Sequence, residues 1–372
     1  MAIFNFTVPC LFGLEGIVGD ELRFMDLEGV EVFDGRVLFK GDYSALARAN
    51  IRLRCGERVL LNVGEFFSYT YDELFERVKS LPWENYIGIN DAFPVKGYSL
   101  KSKLFSVPDL QAIIKKAVVE RLKEKYHISW FEETGTKKQI QFSLMKNVLT
   151  VMLDTSGIGL HKRGYREISN TAPLRETLAS AIISLSRFKN GETLIDPFCG
   201  SGTIPIEAAL YATKTAPGLK RSFSAEAWEE ITKGVWKNER EYAKALIKKP
   251  DIQILASDID ISAVELTKEN SKKAGISEYI SSSLIDVKNI KQVEGSKGVI
   301  ICNPPYGERM MEQKEAETLY SDMGKVFNNF IDYRYYILTS HEDFERQFGK
   351  RADKNRKLYN GMIKCYLFQY FK

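Results

Sequence analysis

The chain has 372 residues, of which 44% are hydrophobic and 27% are charged, a composition typical of a soluble globular protein. A single hydrophobic core rarely grows to this length, so we expect two or three domains. The net charge of +4 is too small to indicate a nucleic-acid partner by itself.

Cysteine and histidine usage argues against disulfide-rich and metal-binding proteins. The five cysteines are widely spaced, no CxxC pair is present and there are only three histidines, so we expect neither disulfides nor a metal site. The first residues lack the basic start and apolar run of a signal peptide, and no apolar stretch approaches the roughly 20 residues of a membrane helix. Free thiols fit the reducing cytoplasm, where we expect the protein to act.

Basic side chains are concentrated in two stretches of the chain. Residues 95–125 contain eight lysines and arginines against three acids, and residues 346–372 contain eight against one. Patches of this kind attract phosphate backbones, although a solvated helix face gives the same pattern.

The first part of the chain predicts two α+β units, judged from apolar periodicity and turn signals. The elements expected in the first unit are strand 4–8, helix 14–27, strands 30–33 and 36–39 around the Asp34-Gly35 hairpin turn, helix 44–50 and strand 58–66. Those expected in the second unit are helix 71–80, strand 92–100, a helix capped by Ser106, and strands 139–144 and 148–154. Three glycines and a basic segment within 155–170 indicate a domain boundary there.

From about residue 171 strands and helices alternate, which predicts a mostly parallel α/β sheet. The elements expected are helix 174–186, strand 192–198, helix 204–212, a polar helical insertion at 213–250, strand 252–257, helix 261–274, strands 279–284 and 297–302, helix 318–330, strand 333–339 and a closing hairpin of 357–359 and 362–371. With Asn360-Gly361 as its turn, the hairpin adds an antiparallel strand and brings the total to seven.

The strand at 192–198 leads into the string DPFCGSGT at 196–203. Glycines allow a tight turn and close approach of the backbone to a ligand. A dinucleotide site requires G-x-G-x-x-G, and here Pro205 occupies the third glycine position. Asp196 before the glycines would repel a pyrophosphate but suits an ammonium group, such as that of S-adenosylmethionine (SAM).

Two later strands end in carboxylates. Asp258, at the end of the second strand, is placed to accept both hydroxyls of a ribose, and Asp260 or Ser262 then caps the next helix. The alternative is that Asp258 or Asp260 serves only as a helix cap. Asp286 follows the third strand, where a carboxylate accepts from an adenine amino group, although a loop aspartate often occurs there by chance.

Asn303-Pro304-Pro305-Tyr306 follows the apolar run 298–302. An amino nitrogen conjugated to a base is a poor nucleophile because its lone pair is delocalised. The side-chain oxygen of Asn303 and the carbonyl oxygen of Pro304 can each accept one N–H, which directs the lone pair towards a methyl donor without a strong base. Tyr306 offers a face for an extruded base. The structural alternative is an ordinary Pro-Pro loop.

Residues 160–372 resemble a class I SAM-dependent methyltransferase domain of the UPF0020 type, in which DPFCGSGT matches the cofactor loop and NPPY the (D/N/S)PP(Y/F) motif of amino methylases. The segments LHKRGYR at 160–166 and APLRETLA at 172–179 resemble the domain entry in one subgroup. That subgroup carries a ferredoxin-like region and a THUMP domain and methylates N2 of guanine in ribosomal or transfer RNA. Residues 45–155 resemble the THUMP domain, particularly KSKLFSVPDLQAIIKKA at 101–117.

The resemblance implies an α/β fold, with a Rossmann-like seven-stranded methyltransferase domain preceded by an α+β ferredoxin-like/THUMP RNA-binding module. The implied domains are a ferredoxin-like region at 1–44, extending to about 65 in an alternative division, a THUMP domain at 45–155, a linker at 156–170 and the methyltransferase domain at 171–372.

The resemblance also implies site residues and SAM as the cofactor. Asn303, Pro304 and Tyr306 would hold the target base. The residues implied for cofactor binding are Asp196, Cys199, Gly200, Gly202, Thr203, Asp258, Ile259, Asp286 and Asn303. Those proposed for RNA are Lys101, Lys103, Arg163 and Arg166, of which the two arginines either clamp phosphates or pin the two domains together. Cys199 and Cys302 flank the site and are expected to be small packing residues.

Within the subgroup, the resemblance is closest to bacterial enzymes that act on guanine of 23S ribosomal RNA, so ribosomal RNA is favoured over tRNA as partner. Residues 1–165 hold 22 basic and 21 acidic side chains, which favours recognition of a folded RNA by shape. The alternatives are a tRNA guanine-N2 methyltransferase, an adenine-N6 or cytosine-N4 amino methylase, and a non-enzymatic RNA-binding assembly factor; a dehydrogenase is disfavoured by Asp196. Oligomeric state is not readable from the sequence.

Overall fold

Two seven-stranded sheets organise the chain, which the computed structural model describes over residues 2–166, 174–306 and 310–371, the side chains of 310–313 excepted. Residues 167–170 of the linker expected at 156–170, the first residues of the expected methyltransferase domain and the start of the 172–179 motif therefore lie outside the described residues. None of the helices in the described ranges combines the length and apolar character needed to cross a membrane.

The first sheet joins the two predicted α+β units. Its elements and the helices that pack on it are, in chain order, β1 (Phe4–Pro9), α1 (Glu15–Arg23), β2 (Glu28–Phe33), β3 (Arg36–Gly41), α2 (Tyr43–Arg52), β4 (Leu60–Phe67), α3 (Tyr71–Lys79), β5 (Val95–Leu100), α4 (Val107–Tyr126), β6 (Ile140–Met145) and β7 (Val148–Asp154). The strand order is β2-β3-β1-β4-β7-β6-β5. Because β4 pairs with both β1 and β7, the two units share one continuous sheet, which the local sequence pattern did not indicate.

The second sheet has the expected mostly parallel topology. Its elements are α5 (Glu176–Ser186), β8 (Thr193–Asp196), α6 (Thr203–Ala212), α7 (Lys233–Ala245), β9 (Gln253–Asp258), α8 (Ile261–Ala274), β10 (Ile280–Leu284), β11 (Gly298–Cys302), α9 (Met310–Phe327), β12 (Tyr333–Thr339), α10 (Phe344–Phe348), β13 (Lys354–Asn360) and β14 (Ile363–Tyr370). The strand order is β10-β9-β8-β11-β12-β14-β13, and β14 lies antiparallel to β12. The predicted fold class is confirmed.

Two local predictions need correction. Asn360 pairs with Ile363, so the two loop residues of the closing hairpin are Gly361 and Met362 rather than Asn360 and Gly361. Gly361 has a φ of +64°, which suits glycine in this turn. Ser106 stands at the N-cap of α4 as predicted, but its side chain makes no capping hydrogen bond.

The insertion at 213–250 attaches the methyltransferase domain to the N-terminal sheet. Arg48 of α2 donates from Nε and Nη2 to the Glu239 carboxylate of α7, both at 3.1 Å. Lys138 Nζ donates to Glu230 at 2.7 Å, and the Gly218 N–H donates to the Ile51 carbonyl at 2.9 Å. The insertion predicted as a polar helical segment therefore connects the two sheets.

A buried carboxylate ties the segment before the methyltransferase domain to α6. Glu207 lies 3.4 Å from the Arg163 guanidinium, and their side chains are 0% and 2% exposed. Tyr165 Oη and Ser180 Oγ also donate to Glu207, at 3.1 Å and 2.5 Å. Arg163 donates further to the Arg54 carbonyl of the N-terminal half, so the network crosses the domain junction.

Arg163 and Arg166, predicted either to clamp RNA phosphates or to pin the two domains together, are both buried against protein groups, and of the two Arg163 contacts the N-terminal half. The Arg166 side chain is 4% exposed and pairs with Glu176 at 2.9 Å. It also donates to Thr203 Oγ1 at 2.9 Å, at the start of α6. Each guanidinium is enclosed by protein acceptors, and an RNA phosphate would have to displace a buried carboxylate to reach it.

Removing the Arg163 side chain should leave Glu207 buried without its cation. We expect Arg163→Ala to lower the free energy of unfolding by about 3–5 kcal/mol, because a buried charge is then left uncompensated. Urea-induced unfolding measures this change. Arg23→Ala is the control, since Arg23 and Asp20 pair at 3.1 Å with side chains 51% and 66% exposed, and its loss should cost less than about 1 kcal/mol. Equal losses for the two variants would contradict the assignment.

Candidate active site

A cleft of about 900 Å³ opens where β8, β9, β10 and β11 end. Ten of the predicted site residues line it, namely Asp196, Cys199, Gly200, Thr203, Asp258, Ile259, Asp286, Asn303, Pro304 and Tyr306. Gly202 is the N-cap of α6 and lies between the lining residues Ser201 and Thr203, but does not line the cleft itself. Lys101 and Lys103 are exposed on the loop after β5 and are not part of this cleft.

The glycine turn between β8 and α6 is held from the side by α8. Gly200 and Gly202 have φ values of +50° and +81°, and a Cβ on Gly202 would lie 3.0 Å from the Thr267 side chain. Thr267 Oγ1 donates to the Gly200 carbonyl at 3.0 Å, and Asn270 Nδ2 donates to the Ser201 carbonyl at 2.9 Å. Both residues therefore have left-handed backbone conformations that favour glycine, and at Gly202 packing against Thr267 also restricts a side chain.

Asp196 is a buried carboxylate at the end of β8, with a residue exposure of 1%. Its Oδ1 accepts from the Phe198 N–H at 3.1 Å. Burial raises the pKa of this carboxyl well above its ordinary value, and the nearby charge of Asp258 raises it further. A carboxylate in this environment gains most from a cationic partner, so it suits the ammonium group of an amino-acid moiety.

Asp260, one of the two residues predicted to cap α8, is the cap, whereas Asp258, predicted to bind ribose, lies at the cleft wall. Asp258 Oδ2 accepts from the Gly200 N–H at 3.0 Å and Oδ1 from the Asp260 N–H at 3.1 Å, which fixes the carboxylate at the cleft wall. Asp260 is the N-cap of α8 and accepts from the Ser262 N–H at 2.8 Å. Asp286 lies beyond β10, and its Oδ1 accepts from the Lys288 N–H at 2.9 Å while the residue lines the cleft.

The NPPY tetrad reaches the cleft beside the glycine turn. Pro304 is buried, and Asn303 and Tyr306 are half-buried. The Tyr306 hydroxyl donates to Asn303 Oδ1 at 2.5 Å, and the Cys365 Sγ lies 3.7 Å from that hydroxyl. The bond between Tyr306 and Asn303 was not foreseen, and it means that the acceptor oxygen is satisfied before any substrate enters.

The cysteines near the site are packed thiols. All five cysteines of the chain are buried and unpaired. Burial raises the pKa of Cys199 to about 12 and that of Cys302 well above its ordinary value, so neither forms a thiolate readily. This agrees with the expectation that Cys199 and Cys302 are packing residues.

Several lining residues were missed by the sequence reading. Asn360 and Ile363 of the closing hairpin, Leu174 before α5, and Thr318 and Leu319 of α9 face the same cleft. Leu174 belongs to the 172–179 motif but was not singled out as a site residue, and the two hairpin residues reach the cleft only because β14 lies between β12 and β13. From the sequence, only the alternation of side-chain directions along the hairpin strands could have suggested that Asn360 faces the cleft.

The donor set fits SAM. The buried Asp196 suits the ammonium, the anchored Asp258 presents a carboxylate for ribose hydroxyls, and Ile259 and Val287 offer apolar surface for a ring. The glycine turn leaves open space at Gly200, where an added Cβ would meet no atom within 4 Å. Together with the strand order, the cleft defines a SAM-dependent methyltransferase of class I.

Comparison with known proteins places the chain in a family. Residues 163–369 match the UPF0020 family, described as RMKL-like, methyltransferase domain, and the chain belongs to it. Residues 5–60 match the RlmL ferredoxin-like domain, and residues 68–154 match the THUMP domain. These matches confirm the three kinds of domain, whereas the bounds predicted for them stay predictions.

Two relatives and one solved structure illustrate the similarity. "Putative RNA methyltransferase YpsC" of Bacillus subtilis (strain 168) is 44% identical over 98% of this chain and 94% of that protein. "Ribosomal RNA large subunit methyltransferase K/L" of Psychromonas ingrahamii is 32% identical over 98% of this chain but 50% of that protein, so this chain spans about half of its length. SMU.472, solved in complex with SAH, is 39% identical with a TM-score of 0.93, covering 100% of this chain and 98% of that chain.

Replacing Asp258 should weaken cofactor binding selectively. We expect Asp258→Asn to raise the Kd for SAM about 10–100-fold, because hydrogen bonds to a charged acceptor contribute about 1.5–3 kcal/mol each. Titration calorimetry measures the Kd. Asp260→Asn is the matched control two residues away, since Asp260 caps α8 outside the cleft lining and its loss should leave the Kd unchanged. A higher Kd for SAM in Asp260→Asn but not in Asp258→Asn would contradict the roles assigned to the two aspartates.

Asp196 should couple SAM binding to protonation. In the free protein its raised pKa keeps the carboxyl partly protonated at acid pH, whereas an ammonium partner favours the ionised form. SAM binding should therefore release protons, and the affinity should increase as the pH rises through the raised pKa. Calorimetry in buffers of different ionisation enthalpy detects this release, and in Asp196→Asn both the release and the pH dependence should disappear. Proton uptake on binding by the wild type would contradict the prediction.

Proposed function

We propose that the protein transfers a methyl group from SAM to the exocyclic N2 of a guanine in RNA, with 23S ribosomal RNA as the substrate. The observation that carries this proposal is the NPPY tetrad beside the glycine turn, within one cleft. Two acceptor oxygens are the minimum needed to hold an amino group by both of its N–H bonds.

The positions of the two motifs follow from strand pairing. β11 pairs parallel to β8, with Val299 opposite Leu194 and Ile300 opposite Ile195. Both strands therefore end at the same edge of the sheet, where ligands of open α/β folds bind. This supports a reaction in which the methyl donor and the amino group meet between the two strand ends.

The chemistry proposed for the tetrad is positioning. When bound, SAM supplies an electrophilic methyl group on a sulfonium. Asn303 Oδ1 and the Pro304 carbonyl accept the two N–H bonds of the target amine, which localises the nitrogen lone pair and directs it at that methyl group. The Tyr306 hydroxyl occupies one of the two acceptor positions of Asn303 Oδ1, and in the proposed mechanism the target amine replaces it, which makes the ring available to stack on the extruded base.

The THUMP domain supports RNA as the substrate. Lys101 and Lys103 are exposed beside Phe105, whose exposure is 80%. The Lys103 N–H donates to Asn147 Oδ1 at 2.7 Å, so this loop contacts the β6–β7 turn. Basic side chains next to an exposed aromatic ring are typical of surfaces that bind the unpaired nucleotides in loops and ends of a folded RNA.

The neighbouring aromatic pair extends the same surface. Phe67 and Tyr69 lie with ring centroids 6.3 Å apart and nearly parallel, and they are 57% and 46% exposed. The Ser68 N–H donates to the Asn147 carbonyl at 2.9 Å, which places this pair at the β6–β7 turn as well. Ribosomal RNA is favoured because the relative from Psychromonas ingrahamii is named for the large ribosomal subunit.

An adenine-N6 or cytosine-N4 methylase is the second candidate, because an NPPY tetrad fits any exocyclic amine on a base. Isolated RNA from a strain that lacks the gene, incubated with the protein and labelled SAM and then digested to nucleosides, separates the candidates. N2-methylguanosine in the 23S fraction is expected. N2-methylguanosine in the tRNA fraction, or N6-methyladenosine in any fraction, would overturn the corresponding part of the proposal.

The same assay tests the tetrad. Asn303→Ala should lower kcat about 100-fold or more, as is usual when one positioning acceptor is lost, while the Kd for SAM is largely kept. Asn329→Ala is the control, since Asn329 Nδ2 donates to Lys325 at the far end of α9 and should not affect turnover. Unchanged kcat in Asn303→Ala would remove Asn303 from the proposed mechanism.

A further inference from the structure

Tyr320 of α9 lies directly beneath the NPPY tetrad. Its side chain is 0% exposed, and it does not line the cleft. Its hydroxyl lies 2.7 Å from the Pro305 carbonyl oxygen and 3.1 Å from Thr339 Oγ1. The ring packs edge-on against His341 and Phe344, with centroids at 5.5 Å and 4.9 Å, so packing fixes the position of the hydroxyl.

The hydrogen bonds around Tyr320 have only one possible direction. The Pro305 carbonyl can only accept, so the Tyr320 hydroxyl donates to it. Since the single proton of the Tyr320 hydroxyl is used for this bond, the Thr339 hydroxyl donates to the Tyr320 oxygen. The backbone N–H of His341 in turn donates to Thr339 Oγ1 at 3.1 Å. Bonds in such a buried chain polarise one another and strengthen the last one.

Tyr320 remains a donor over a wide pH range. Burial raises the pKa of its hydroxyl to about 12. The hydroxyl therefore stays protonated at neutral pH and donates to the Pro305 carbonyl.

Fixing the direction of the Pro305 carbonyl also restricts the residues before and after it in the tetrad. The carbonyl belongs to the peptide that joins Pro305 to Tyr306, so the bond to Tyr320 sets the ψ angle of Pro305, while the proline ring sets its φ. With both dihedrals held, the Pro304 carbonyl on one side and the Tyr306 backbone on the other have defined directions. The anchor at Thr339 is the last residue of β12, an interior strand of the sheet.

We propose that Tyr320 is a positioning residue for methyl transfer, acting through the Pro305 carbonyl to hold Asn303, Pro304 and Tyr306 in the arrangement that grips the target amine. This inference rests on the proposed function of the tetrad. Tyr320 touches neither cofactor nor base, and its contribution is to the geometry of groups that do. Displacements of about 1 Å at such groups cost on the order of 100-fold in rate.

Tyr320→Phe tests this inference, with Tyr335→Phe as the matched control. Tyr335 is a buried tyrosine of the same aromatic cluster, 4% exposed, and its hydroxyl donates to the Phe327 carbonyl at 2.5 Å, away from the tetrad. Each variant loses one buried hydroxyl and keeps its ring. We expect similar falls in Tm for both, but a fall in kcat of about 10–100-fold in Tyr320→Phe alone, with KM for RNA and Kd for SAM little changed.

A second readout does not depend on turnover. Hydrogen exchange at the Tyr306 amide should be faster in Tyr320→Phe than in Tyr335→Phe, because the peptide group that contains this amide loses the anchor on its carbonyl. Equal exchange in the two variants, or an equal kcat, overturns the inference.

The proposed function and the role of Tyr320 are tested by different measurements. A wild-type product that is not an exocyclic methylamine overturns the proposed function, and the exchange comparison still decides whether Tyr320 anchors the tetrad. The expected product together with equal kcat values for both variants overturns the role of Tyr320 and leaves the proposed function standing.

Discussion

Parallel pairing of β8 with β11 is the constraint on which the site depends. It brings the end of the strand that carries Asp196 next to the end of the strand that carries Asn303, although the two residues are more than a hundred positions apart in the chain. Hydrogen bonds between these strands set the distance between the glycine turn and the tetrad, and flanking helices then refine it. Thr267 and Asn270 hold the turn from one side. Any shift in register between the strands would separate the two halves of the cleft.

The N-terminal half is joined to this sheet by polar contacts. Arg163 pairs with the buried Glu207 and donates to the Arg54 carbonyl, and Arg48 of α2 pairs with Glu239 of α7, with side chains 27% and 10% exposed. Buried pairs of this kind contribute little net stability compared with apolar packing, but breaking one is costly, so they specify a single arrangement of the parts. A defined arrangement is what a THUMP surface requires if it is to present a folded RNA to a distant cleft.

The tetrad combines a rigid support with one exchangeable bond. The Pro305 carbonyl accepts a hydrogen bond from the Tyr320 hydroxyl, on the side away from the cleft. Asn303 Oδ1 accepts one from the Tyr306 hydroxyl, inside the cleft. The first partner is fully buried, and the second belongs to a half-buried ring. In the proposed mechanism, the target amine replaces the Tyr306 hydroxyl as the donor to Asn303 Oδ1 while the bond between Tyr320 and the Pro305 carbonyl is kept.

Local sequence determined the features that depend on neighbouring residues: the alternation of strands and helices, the glycine turn at 200–202 and the Asp260 cap. Tertiary structure decided those that depend on pairing between distant segments. β4 joins two units into one sheet, Arg163 is buried against Glu207, and Asn360 reaches the cleft only because β14 lies beside β12. Tyr320 carries no motif and acquires its role from the Pro305 carbonyl above it and the Thr339 hydroxyl beside it. Periodicity and turn signals record each residue's neighbours in the chain, whereas burial and hydrogen-bond partners arise only once the sheets have formed.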